Sequence, residues 1–178
     1  VVNALQTVVS RDTDPLDSVV CSVLSIHAGT PDNFVPDLLI MTGSIRFHQE
    51  WAHQKARRRL EELTVGVAAA YGCKAEVAFH PGVPATVNSP ELTVLARKAA
   101  AALVGPDSVV SPRPDMGSED FAVLGQHIPA FFYWLGSGFP GQANPCWHNE
   151  HFRTDDSALP LAAALLAQSA LVGLESLK

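Results

Sequence analysis

The sequence predicts an α/β protein in two parts: an α+β layer up to about residue 85, with helices on one face of an antiparallel sheet, then part of an α/β sheet. Three observations carry this. Up to residue 80 the hydrophobic pattern runs helix, strand, strand, helix, strand. Residues 81–88 then place three prolines and glycines among eight residues, which reads as a boundary. Beyond it, alanine- and leucine-rich helical stretches flank a wholly apolar run, AFFYWL at 130–135, of the kind that forms a strand covered on both faces.

Residues 1–9 carry apolar side chains at helical spacing, closed by Ser10, Arg11, Asp12 and the turn at Asp14 and Pro15. Residues 18–27 alternate and are rich in valine and isoleucine, so they form a strand. After turn chemistry at 29–36, a second strand over 38–47, interrupted at Gly43, pairs with the first. Residues 49–71 make the longest helix, with Trp51, Ala52, Lys55, Ala56, Leu60, Leu63 and Val67 as its mostly apolar stripe and Gly72 as its stop. Residues 74–80 alternate as a third strand.

Past the boundary, Ser89 at the N-cap and Pro90 at the first helical position start the helix LTVLARKAAAALVG. Val109 and Val110 suit a short strand, and Ser118, Glu119 and Asp120 cap a short helix reaching about Leu124. The last helix starts near Asp155 and runs through LPLAAALLAQSALVGLESL. This second part offers about two strands where stable sheets usually have more, so it reads as incomplete. The chain also starts without methionine, as if inside a helix, and is expected to be cut from something longer.

With 178 residues, 47% hydrophobic and 17% charged, the chain is globular. Its net charge of −6 argues against a nucleic-acid surface, which needs a clustered positive field. The basic cluster Lys55, Arg57, Arg58 and Arg59 runs directly into Glu61 and Glu62 and reads as a solvated helix face. The cysteines Cys21, Cys73 and Cys146 are odd in number and widely spaced, which fits a reducing, cytoplasmic setting. No apolar run is read as reaching the ~18 residues of a membrane span, and the N-terminus lacks a signal-peptide pattern. Neither nucleic acid nor membrane is therefore an expected partner.

His148 follows a loop rich in glycine and proline and precedes an acidic helix start. An imidazole so placed suits a zinc-like ion; it equally suits a loop histidine with a structural hydrogen bond. His151 is its neighbour and competitor. Zinc needs three or four protein ligands, and no HxxEH or CxxC supplies them. Gly117, Ser118, Glu119 and Asp120 offer a flexible glycine and N–H groups suited to an anion, or else a plain capping arrangement. Asn33, in a turn, and Arg46, at a strand end, could bind a carboxylate or a polarised carbonyl.

Read in order, QTVVSRDTDPLDSVV, NFVPD, GSIRF, PDMGSEDFA and CWHNEHFRTDDSALPLAAALL resemble the landmarks of the M20 metallopeptidase family, in its aminoacylase-like branch of hippurate and auxin-conjugate hydrolases. The resemblance covers essentially the whole chain. It implies a zinc-peptidase-type catalytic α/β domain interrupted by an α+β lid that dimerises. Residues 1–86 would be most of the lid, and 87–178 the C-terminal segment of the catalytic domain.

By the same resemblance, His148 matches the metal-ligand histidine of the LH-x-P-x-F pattern, with Trp147 for leucine and Glu150 for proline. Gly117, Ser118, Glu119 and Asp120 match the MG-x-EDF turn that lines the substrate pocket. Asn33 and Arg46 match the N-x-IP and GT-x-R positions, with Ser44 for threonine. The family's cofactor is a pair of divalent ions, zinc with manganese or cobalt as alternatives, which activate water to cleave the amide of an N-acyl amino acid or related small amide. Its remaining ligands and its general-base glutamate lie in segments resembling CGHDxH and an EE pair, which this sequence does not contain. No catalytic residue is therefore identified, and the 178-residue chain alone is expected to be inactive. The alternative is a non-catalytic remnant or dimerisation fragment.

Overall fold

In the computed structural model, which describes residues 1–29 and 33–176, two strands, β1 (Val19–Ala28) and β2 (Leu39–Phe47), form an antiparallel hairpin. The register runs from Val19 opposite Phe47 to Ala28 opposite Leu39. It shifts between Val23 and Ser25, so Leu24 is the extra residue of a bulge. The expected interruption of the second strand at Gly43 is not present: β2 runs unbroken through Gly43, and the irregularity lies in β1. Gly43 faces Val23, and a Cβ on it would run into the Ser22 carbonyl, so only glycine lets the strands close there. Part of the turn expected at 29–36, residues 30–32, lies outside the described residues.

Helices α1 (Val2–Ser10) and α2 (Glu50–Ala70) pack against one end of this hairpin. Val8, Val19, Ala52 and Ala56 form the core, with Cys21, Ile45, Phe47, Leu60 and Leu63 partly buried around it. Two positions of α2's predicted stripe, Ala52 and Ala56, thus reach the core, while Trp51 stays exposed. Gly72, at φ +71°, ends α2 as expected, and the Cys73 N–H closes the last turn onto the Ala68 carbonyl at 2.9 Å. Arg59 ties the helices together, its Nε 3.0 Å from Asp12 Oδ2 and its Nη1 2.9 Å from Glu62 Oε2.

The third strand expected at 74–80 is not formed. Those residues are assigned to no ladder, and a strand exists only where its N–H and C=O groups find a partner backbone. The segment is instead held by its side chains, with the Arg57 guanidinium 4.4 Å over the Phe79 ring.

The chain divides between Ala85 and Thr86 into two compact units, and the segment Asp115–Glu119 belongs with the first. In the second unit, α3 (Pro90–Val104) packs on α5 (Leu159–Glu175), burying Ala96, Ala99 and Leu165. The predicted cap is present: Ser89 Oγ accepts from the Leu92 N–H at 3.3 Å, with Pro90 in the first turn. A five-residue helix, α4 (Phe121–Gly125), follows Asp120. The end of the last helix expected at Leu177 lies outside the described residues.

Two expectations fail in this unit. Residues 109–110 and 130–135 form no strand, and the AFFYWL run is half-buried at best, with Trp134 59% exposed. Its backbone is satisfied locally: the Ser89 N–H donates to the Ala130 carbonyl at 2.9 Å, and the Asn88 amide both accepts from the Phe132 N–H and donates to its carbonyl, each at 2.8 Å. The segment Asp156–Glu175 does reach the length and mean hydropathy, 1.7, of a membrane span, by length and composition alone. One face of α5 rests on α3, and 6% of the window is buried.

Candidate functional site

Arg46 lies on the strand position opposite Val20, where a long side chain is free to leave the sheet. Its Nη1 donates to the Met116 carbonyl at 2.6 Å and to Ser118 Oγ at 3.3 Å, across 70 residues of sequence or more. The turn it meets is closed from within, because the Gly117 N–H donates to the Asp115 carboxylate. A Cβ at Gly117 would fall against that same carboxylate oxygen, so a larger residue there would push the Asp115 side chain aside.

This modifies the reading of the turn. The Gly117 N–H is engaged by Asp115 and is not an open donor for an anion. The short helix, α4, begins at Phe121 after Asp120, whose side chain makes no capping bond, and it has only five residues. Within the first unit, Arg46, Gly117 and Ser118 come together, with Glu119 following, half-buried, in the same segment. Asn33 is in this unit too, exposed in a bend.

Asp120 and His148 belong to the second unit, and both are exposed. His148 sits in a turn closed by the Asn149 N–H on the Cys146 carbonyl at 3.3 Å. Its φ of +67° places it in the left-handed region, alone among the described non-glycine residues. Such a conformation costs about 1–2 kcal/mol for a residue with a Cβ. Its neighbour Trp147 stacks on Trp134, ring centroids 5.4 Å apart and planes 11° from parallel. Trp134 in turn meets Phe132 edge-on at 5.2 Å. This aromatic row was readable only as apolar residues; the stacking that holds the loop was not. On the far side of the loop, the Asp155 N–H donates to the Ser137 carbonyl at 2.7 Å, and Asn144 binds Phe139 through both atoms of its amide. His151, the competitor, lies 3.4 Å from the Glu150 carboxylate, and its N–H is bound by Asn149.

His148 is a single candidate ligand. Among the described residues no group of three or more His, Cys, Asp or Glu side chains converges to hold a metal, so the described residues do not by themselves form a metal centre. Cys21, half-buried, has its thiol pushed above the ordinary value by burial, and Cys73 and Cys146 are exposed; none takes a ligand's place.

The sequence matches the model of peptidase family M20/M25/M40 over residues 5–171. It is 34% identical over 178 residues to an N-acetylcysteine deacetylase of Bacillus subtilis, covering all of this chain and 45% of that protein. It is 33% identical over 175 residues to an IAA-amino acid hydrolase of Arabidopsis thaliana, covering 96% of this chain and 39% of that one. Among solved structures, a dinuclear metal-binding peptidase of the M20 family from Bacillus subtilis superposes with a TM-score of 0.78 at 32% identity, covering 98% of this chain and 46% of its own. The chain thus spans less than half the length of these relatives. With the family's pattern matched from residue 5 to residue 171, the chain belongs to peptidase family M20/M25/M40.

Proposed function

We propose that this chain is a portion of a metal-dependent amidohydrolase that cleaves the amide of N-acyl amino acids or related small amides, of the hippurate type. One observation carries the reading: similarity over the whole of this chain, and 45% of the relative, to an N-acetylcysteine deacetylase, with similar identity to an IAA-amino acid hydrolase, both named for action on amino acid conjugates. The unusual backbone of His148 supports it, because a left-handed non-glycine residue is kept where surrounding structure and function hold it. His148 would be one metal ligand, with zinc, or manganese or cobalt, as a pair of ions. Asn33, Arg46 and the turn from Gly117 to Asp120 would contact the substrate. The first unit would be the lid and would form a homodimer, and the protein would work in the cytoplasm.

The other ligands and the general base would come from polypeptide outside these 178 residues, so this chain alone is inactive. The absence of a metal-binding cluster among the described residues favours one second reading, a non-catalytic remnant or dimerisation fragment. Two measurements decide. The reading frame upstream of Val1 should encode segments like CGHDxH and EE; a start codon at Val1 supports the remnant. Metal analysis and a panel of N-acyl amino acids, run on the longer protein and on its His148→Ala variant, should show bound metal and hydrolysis that the variant loses. Turnover by the purified 178-residue chain overturns the inactivity.

A further inference from the structure

The reading of Arg46 as a direct substrate contact leaves its observed bonds unused. Its Nη1 is committed to the Met116 carbonyl and to Ser118 Oγ, and the segment it grips, Asp115–Glu119, groups with the first unit although the chain on either side, Pro114 and Asp120, groups with the second. This guanidinium links the hairpin to the turn by two hydrogen bonds. The two N–H groups of a single guanidinium nitrogen point in fixed directions in one plane, so Nη1 alone can hold two acceptors in fixed geometry.

We infer that Arg46 is a positioning residue: by binding the Met116 carbonyl and the Ser118 hydroxyl, it fixes the 115–119 turn to strand β2, so the hairpin sets where the turn presents its groups. The Asp115 carboxylate on the Gly117 N–H closes the turn, and Arg46 docks the closed turn as one piece. The Nε and Nη2 donors of Arg46 stay outside these two bonds. The consequence for catalysis rests on the proposed function, in which this turn lines the substrate pocket. The positional claim does not.

The test therefore has two arms. In the first, amide exchange at Gly117 and cleavage after Glu119 by a glutamate-specific protease are followed in the 178-residue chain and in Arg46→Met, Arg46→Lys and Ser118→Ala. Losing a hydrogen bond from a charged group should speed both readouts about tenfold in Arg46→Met, with smaller effects in the other two variants, while the thermal midpoint of the hairpin unit holds. Unchanged exchange and cleavage in Arg46→Met overturn the inference.

The second arm uses the longer hydrolytic protein with an N-acyl amino acid and its carboxamide analogue. A positioning role predicts that Arg46→Met lowers kcat/KM for both by a similar factor, with partial recovery in Arg46→Lys or on adding methylguanidinium to Arg46→Ala. A loss confined to the carboxylate substrate, as a rise in KM, shows a direct salt bridge instead and overturns the catalytic consequence. If the wild-type protein hydrolyses neither, the proposed function fails, and the first arm still decides the role of Arg46.

Discussion

His148 holds φ at +67° with a Cβ in place, and the stacked pair Trp147 and Trp134 supplies the packing that can offset that cost. Glycine is the residue such a backbone prefers, so His148→Gly should be more stable than His148→Ala by about 1 kcal/mol in chemical denaturation. Equal stability of the two would mean the loop does not hold the left-handed conformation in solution. Asp155 presents the opposite situation, a polar group in its favoured place: its carboxylate accepts from the Ser157 N–H at 2.9 Å at the head of the turn leading into α5. Hydrogen bonds from the Ser157 side chain and backbone hold the carboxyl of Asp155 below the ordinary carboxylate value. A lowered folded pKa contributes stability above the unfolded value, near 3.9, that is lost as pH falls through the folded one. Asp155→Ala should therefore melt below wild type at neutral pH, and the gap should begin to narrow below about pH 4 and close only below the lower, folded value. A gap that persists unchanged into acid would assign the effect to something other than the ionised cap.

Among the elements, the helices follow their sequence signals closely because their hydrogen bonds are local. Serine and proline start α3 at Ser89 and Pro90, and Gly72 stops α2, each within a turn of where spacing and capping place it. Strands depend on a second backbone. The hairpin was readable because its two alternating runs are close in sequence and Gly43 marks the site of close approach. The runs at 74–80 and 130–135 carry equally good strand composition yet have no ladder, since composition states a preference for an extended chain and not the presence of a neighbour. At 130–135, one side chain substitutes for that neighbour: Asn88 satisfies both backbone groups of Phe132. Asn88→Ala should cost about 2 kcal/mol, roughly 1 for each bond lost, and Asn88→Asp, which keeps only the acceptor, about half. An alanine variant with wild-type stability in urea denaturation would mean water replaces the amide without loss.

Across the whole molecule, each unit has a thin core. Val8 is the one large side chain fully buried among the described residues, and Leu159, Leu166, Leu171 and Leu174 stand more than half exposed along α5. A chain with a single candidate ligand should gain little from metal, because stabilisation by a ligand scales with how tightly the folded state binds it. Added zinc should leave the thermal midpoint of the 178-residue chain within error; a rise of several degrees that His148→Ala abolishes would reveal a metal site that the described residues do not show. Sequence alone determined the helices, the hairpin and, through the ordered motifs from QTVVSRDTD to CWHNEHF, the family. Each of these is written in local hydrogen bonding, in side-chain periodicity or in residue order. Only the tertiary structure decided that the 115–119 segment joins the first unit, that Arg46 grips it across 70 residues or more, and that His148 is held in a left-handed turn beside two stacked indoles. Those outcomes depend on which distant groups meet, and a linear pattern carries no record of distance in space.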